Sequence, residues 1–122
     1  MWKVRILSIL VVSLLVLGAA GPTLAAEPKS ATITGEVIDT FCYALMGAKG
    51  PSHRQCGLDC VKAGIPAGLL EDGTGKVYVL LPAQDKKPVP QEAVEKMGGK
   101  ATITGKMVEA GGSLFLTVES VK

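Results

Sequence analysis

One five-residue phrase occurs twice and constrains the fold more than any other feature: Ala31-Thr-Ile-Thr-Gly35 returns as Ala101-Thr-Ile-Thr-Gly105. The first copy opens an alternating run to Ile38. Ile33 and Val37 share one face, and Thr32, Thr34 and Glu36 share the other, as in a half-buried strand. A glycine inside such a strand marks a bulge, a sharp bend or a close backbone approach. The same glycine in two strands predicts equivalent bends at the corners of a small barrel. Two copies are too few for a solenoid, which needs several repeats.

The rest of the chain supplies the partners. Gly68 to Leu81 reads as a hairpin about Asp72-Gly73, a strong turn signal, with Val77, Val79 and Leu81 on one face. Pro82 to Pro90 is a polar loop in which Lys86 and Lys87 are solvated. Gln91 to Met97 is a short helix, begun by Pro90 and ended by Gly98-Gly99. Lys100 to Glu109 is a strand and Gly111-Gly112 a turn. Ser113 to Val121 is the last strand, with Leu114, Leu116 and Val118 aligned. Strand, insertion, hairpin, helix, hairpin is the order of an OB-fold: a five-stranded antiparallel barrel with a helix between strands three and four. The alternative is another small antiparallel barrel. The insertion, at about 39–66, falls between strands one and two, in one of the usual ligand loops of the fold. The fold itself dictates no function.

The start of the chain reads differently. Lys3 and Arg5 precede or open an apolar run, Ile6 to Leu17, and small residues follow to Ala25-Ala26. That pattern predicts a secretory signal peptide over residues 1–26, with the domain at 27–122. The apolar run is short for a bilayer span, which needs about 20 residues. Export to a periplasm or the medium follows, without stable membrane association after cleavage. The chain has 13 basic and 11 acidic residues. With Lys3 and Arg5 in the leader, the remainder is balanced. A neutral domain with few aromatics has no footprint for nucleic acid, and the expected state is a monomer.

All three cysteines and the only histidine lie in the insertion. Ser52 reads as a helix N-cap, with Gln55 completing a capping box. Arg54 to Ala63 would be the helix, stopped by Gly64 and Pro66. His53, Cys56 and Cys60 then lie along one stripe, and Cys42 reaches it from the end of the first strand. Met46 to Pro51 is a loop by composition.

Three thiolates and one imidazole suit tetrahedral zinc, and next copper(I). Cys42, His53, Cys56 and Cys60 are thus the candidate metal ligands. Met46 is a candidate soft copper ligand, while Met97 and Met107 fall on packing faces. Export also favours a disulfide, Cys42 with Cys56 or Cys60, as a structural staple or as a thiol–disulfide redox pair. Cys56–Cys60, one helical turn apart, is poor disulfide geometry. An odd cysteine remains in any disulfide scheme. A nucleophilic Cys56 beside His53 is the enzyme reading, but it needs an orienter and a substrate pocket. Asp39 or Asp59 could orient His53, but spacing does not show it; the simpler readings are a solvated helix residue for Asp59 and a strand-end turn former for Asp39. Tyr43 reads as packing or a cover over the site. The pattern therefore points to a binding or interaction module rather than an enzyme.

Gly35-Glu-Val-Ile-Asp-Thr-x-Cys-Tyr, His53-x-x-Cys-x-x-x-Cys and Gly64-Ile-Pro-Ala-Gly-Leu-Leu together resemble a group of small exported bacterial OB-fold-like proteins without an established activity. The resemblance implies that the pattern is a unit, and no function comes with it.

Overall fold

The computed structural model describes Gly21 and residues 26–122; the expected signal peptide lies, but for Gly21 and Ala26, outside the described residues. Among them, no helix is long and apolar enough to cross a membrane. The elements run β1 (Lys29–Asp39), α1 (Thr40–Met46), a 3₁₀ turn (Pro51–His53), α2 (Arg54–Lys62), β2 (Ala67–Glu71), β3 (Val77–Pro82), α3 (Gln91–Val94), β4 (Lys100–Ala110), β5 (Ser113–Val118) and β6 (Ser120–Val121).

The strands follow the order β1-β2-β3-β5-β4, and β4 returns to β1, which closes an OB-like barrel. The helix between strands three and four is present as α3, and α1, the 3₁₀ turn and α2 fill the loop between strands one and two. One seam departs from the expected pattern. β3 and β5 pair in parallel, from Tyr78↔Leu114 to Pro82↔Val118, so the barrel is mixed rather than wholly antiparallel. The long Pro82-to-Lys100 connection carries the chain back across the barrel, which a hairpin cannot do.

The repeated phrases pair with each other. β1 and β4 are antiparallel, with Ile33↔Ile103 flanked by Thr32↔Thr104 and Thr34↔Thr102. On the outer face those threonines are joined through their hydroxyls, at 2.9 and 2.8 Å. The two glycines do the same job. A Cβ on Gly35 would lie 2.2 Å from the Leu70 carbonyl oxygen, and one on Gly105 1.7 Å from that of Thr117. Each strand hands over from one neighbour to the next near its glycine. β1 passes from β4 to β2 there, and β4 from β6 to β5. The expected barrel corners are therefore places where two backbones nearly touch.

The core is the barrel interior: Ile33, Val37, Leu69, Leu80, Ile103 and Leu116 are among its buried members. On β3 the inward residues are Tyr78 and Leu80; Val77, Val79 and Leu81 share the partly exposed face. The Gln91–Met97 helix is shorter than expected, ending at Val94 before a turn. Met97 is nonetheless buried in the core, and Gly98 N–H donates to the Val37 carbonyl at 2.8 Å. That segment plugs the barrel beside the end of β1, beneath the Cys/His insertion.

Candidate metal centre

The centre is organised by Asp39, the last residue of β1 and fully buried. The sequence offers it as an orienter of His53 or, more simply, as a strand-end turn former. Its Oδ1 accepts from the Cys42 amide at 2.8 Å and caps a helix that composition hid. Cys42 is therefore not on the strand end but in the first turn of α1, buried. Gly47, in the left-handed region at φ 65°, ends α1 and donates back to the Tyr43 carbonyl at 2.8 Å, a helix stop that glycine adopts without strain.

The other Asp39 oxygen, Oδ2, meets His53 Nε2 at 2.7 Å. Burial alone would raise the Asp39 pKa. The hydrogen bonds from the Cys42 amide, His53 and the Cys42 side chain outweigh it and hold the carboxyl below its ordinary 3.8. The carboxylate is thus ionised near neutrality, and Nε2 must be the donor. In neutral His53 that leaves the lone pair on Nδ1. A carboxylate behind a histidine is the arrangement that orients imidazole ligands toward metals.

The expected capping box does not form. His53 stands at the α2 N-cap position without a side-chain cap, because Pro51–His53 winds into a 3₁₀ turn ahead of it. Gln55 donates instead to Asp59 Oδ1 at 3.0 Å, one turn along the exposed surface. α2 sits close to the barrel because Gly57 is buried: a Cβ there would lie 2.6 Å from Met97 Sδ and 3.5 Å from Asp39 Oδ2. Arg54 reinforces the seat by donating to the Glu95 carbonyl and, at 3.0 Å, to that of Met97. On the other side of the insertion, the Gly50 amide donates to Glu36 Oε1.

These supports gather the donors. A ligand atom from each of Cys42, His53 and Cys56 lies within 4.8 Å of the other two, and Asp39, Cys42 and Cys60 form a second such group. Cys42 belongs to both. Its Sγ is 3.9 Å from that of Cys60, and all three cysteines are free. The four expected ligands thus cluster as a triad plus Cys60, with Asp39 as an unforeseen fifth member. The cluster could hold a metal ion. Met46, at the end of α1, is 66% exposed. Tyr43, next to Cys42, is partly buried. Burial pushes the Cys42 thiol up to about 12, and its hydrogen bond with Cys60 and its place beside Asp39 add to the shift. Burial likewise raises Cys60, against the opposing effect of the Cys42 hydrogen bond. Without a cation, the cluster keeps these two sulfurs protonated.

The far side of α2 faces an apolar cleft of about 890 Å³, lined among others by Leu58, Val61, Ile65, Val79, Leu81 and Val89. The helix that carries Cys56 and Cys60 is thus also a wall of that cleft.

No family model, no curated protein and no solved structure matches this chain.

Proposed function

We propose that this protein is an exported small binding module whose first inter-strand loop is fastened to the barrel by a Cys3His metal centre. Cys42, His53, Cys56 and Cys60 are the ligands, with zinc as the resident ion and copper(I) as the alternative. The observation that carries this reading is the placement of the sulfurs. Zn–S bonds of about 2.3 Å arranged tetrahedrally set neighbouring sulfurs about 3.8 Å apart. Cys42 and Cys60 are 3.9 Å apart, while a disulfide needs about 2.05 Å. Cys42 also meets the His53–Cys56 pair within 4.8 Å. Cys60 would join that pair through Cys42, the member common to both groups.

The role follows from what the ligands join. Cys42 is on α1, His53 on the 3₁₀ turn, and Cys56 and Cys60 on α2. One ion therefore ties three short elements that bury little of their own. It also steadies α2 as a wall of the apolar cleft, whose size lies in the range of small-molecule sites, roughly 300–1,000 Å³. Thiol chemistry by a free Cys42 is disfavoured, since its raised pKa keeps it protonated near neutrality.

The test is metal content. Anaerobically purified protein is expected to carry one metal equivalent and, after removal by a chelator, three titratable thiols. His53→Ala is expected to lower metal retention. Fully reduced protein that takes up no metal, or unchanged retention in His53→Ala, would overturn the reading.

A further inference from the structure

The same two sulfurs that favour a metal also favour its loss. Resting on the metal reading above, we infer that the centre is a redox exchange site: oxidation joins Cys42 to Cys60 and expels the ion, so that bound metal and this disulfide are alternative states of one cluster.

Three observations converge on that pair. Cys42 Sγ and Cys60 Sγ are 3.9 Å apart and share a hydrogen bond, so bond formation needs an approach of about 2 Å toward the S–S length. The pair also joins different elements, α1 and α2. Cys56 and Cys60 share one helix, where neighbours a turn apart meet in poor disulfide geometry. Finally, exposure is graded: Cys42 is buried, Cys60 partly buried and Cys56 exposed. An external reagent can reach Cys56 and Cys60 but not Cys42, and of those two it is Cys60 whose sulfur already meets Cys42, so that Cys42 lies in place to attack whatever forms there.

The chemistry balances with a small-molecule disulfide as oxidant. The Cys60 thiolate attacks one sulfur of RSSR, forming a mixed disulfide Cys60–S–SR and releasing RS⁻. Cys42, held as a thiolate because metal ligation requires the deprotonated sulfur, then attacks Cys60 Sγ, forming the Cys42–Cys60 bond and releasing a second RS⁻. Two protein thiolates lose two electrons, and one RSSR becomes two thiols, whose protons come from solvent. Two ligands remain, His53 and Cys56, and two do not make the four-coordinate set zinc needs. The metal leaves. Cys56 is left as the single free thiol, which accounts for the odd cysteine.

The experiment is to treat the zinc-loaded, reduced full chain with oxidised glutathione. Zinc release is followed with a chromogenic chelator, and the disulfides are mapped by peptide mass analysis with alkylation of free thiols. The expected result is one zinc released per disulfide formed, a Cys42–Cys60 bond, alkylated Cys56, and recovery of zinc binding after reduction. Because both residues are ligands, their variants are read by disulfide mapping of the reduced, metal-free protein: Cys56→Ser is expected to form the same Cys42–Cys60 bond, and Cys60→Ser to form no bond in its place. Zinc retained after oxidation, a bond mapped to Cys42–Cys56, or a Cys56–Cys56 dimer would overturn the exchange while leaving the metal reading standing. Reduced protein that takes up no zinc would instead overturn the metal reading, and the exchange with it.

Discussion

The barrel and its insertion are built by different means. The barrel is held by continuous strand pairing around an apolar interior, with Val37, Leu69, Ile103 and Leu116 wholly withdrawn from solvent. The insertion has almost no interior. In α1 only Cys42 is buried, and in α2 only Gly57; Leu58 and Val61 pack partly against the barrel core. Phe41, Leu45 and Met46, the large apolar residues of α1, are 52–69% exposed. What holds the insertion is polar and local: Asp39 to Cys42 and His53, Glu36 to Gly50, Arg54 to two carbonyls. Short helices without an apolar face to bury are marginal in water. A cross-link at their meeting point, such as the proposed metal centre, would supply what packing does not.

The sharpest way to break that contrast is through glycines of the two regions. Gly105→Ala drives a Cβ into the Thr117 carbonyl at 1.7 Å, with backbone on both sides of the clash. It should cost about 3 kcal/mol or more, or prevent folding. Gly47→Ala, at the end of α1, meets nothing within 4 Å and bears only its positive φ, about 1–2 kcal/mol. Urea unfolding followed by circular dichroism compares them; equal losses would erase the distinction.

Asp39→Asn comes next. Asparagine caps a helix about as well as aspartate, so α1 should survive. The charge behind His53 is gone, and metal affinity should fall about 10- to 100-fold. Competition with a chelator of known affinity measures this. Unchanged affinity would mean that the Asp39–His53 contact serves the fold alone.

Alkali should find the insertion first. In the reduced, metal-free protein, the Cys42 pKa rises from 9.0 to about 12 on folding. The folded state therefore holds that proton more tightly than the unfolded chain. The resulting stability is full below pH 9 and is lost as pH rises through 9 toward 12. The urea midpoint should fall over that window, and less so in Cys42→Ser. Identical slopes for the two proteins would remove Cys42 as the cause. Asp39 works in the opposite sense: its lowered pKa contributes stability above 3.8, lost as pH falls through its folded value.

Thr34→Ala should have the smallest effect. It removes one exposed hydroxyl pair with Thr102, worth about 0.2–1 kcal/mol, and should leave metal affinity untouched. A change in affinity would show that the barrel wall and the insertion are coupled more closely than their contacts suggest.

How legible each region was follows from the same contrast. The strands announce themselves through two-residue alternation, and the turns through Asp72-Gly73 and Gly111-Gly112, because both are local signals. The parallel β3–β5 seam is not local: no alternation within either strand says which neighbour it meets. In the insertion, the candidate ligand residues were legible by type, since cysteine and histidine are rare here. Their scaffold was not. α1 is seven residues long, too short for a helical period to stand out, and its start is signalled only by Asp39 placed three residues before Cys42. Ser52 and Gln55 carried the right residue types for a cap, but Pro51 drew the chain into a 3₁₀ turn. Gly57 was the overlooked clue. A glycine inside a helix costs about 1 kcal/mol relative to alanine, so its presence marks a surface that must come close to something, here Met97 and Asp39.

The paired phrases of β1 and β4 have one more consequence. In the observed alignment isoleucine faces isoleucine, threonine faces threonine, and each glycine faces an alanine. Sliding one strand by two residues would set an isoleucine against Gly105 or Ala101, leaving a gap inside the barrel. Sliding it by one would turn the isoleucine of that strand's phrase out to water. The repetition therefore works as a key cut to match itself: a short self-complementary word that lets the first and fourth strands find a single alignment across some seventy residues of intervening chain.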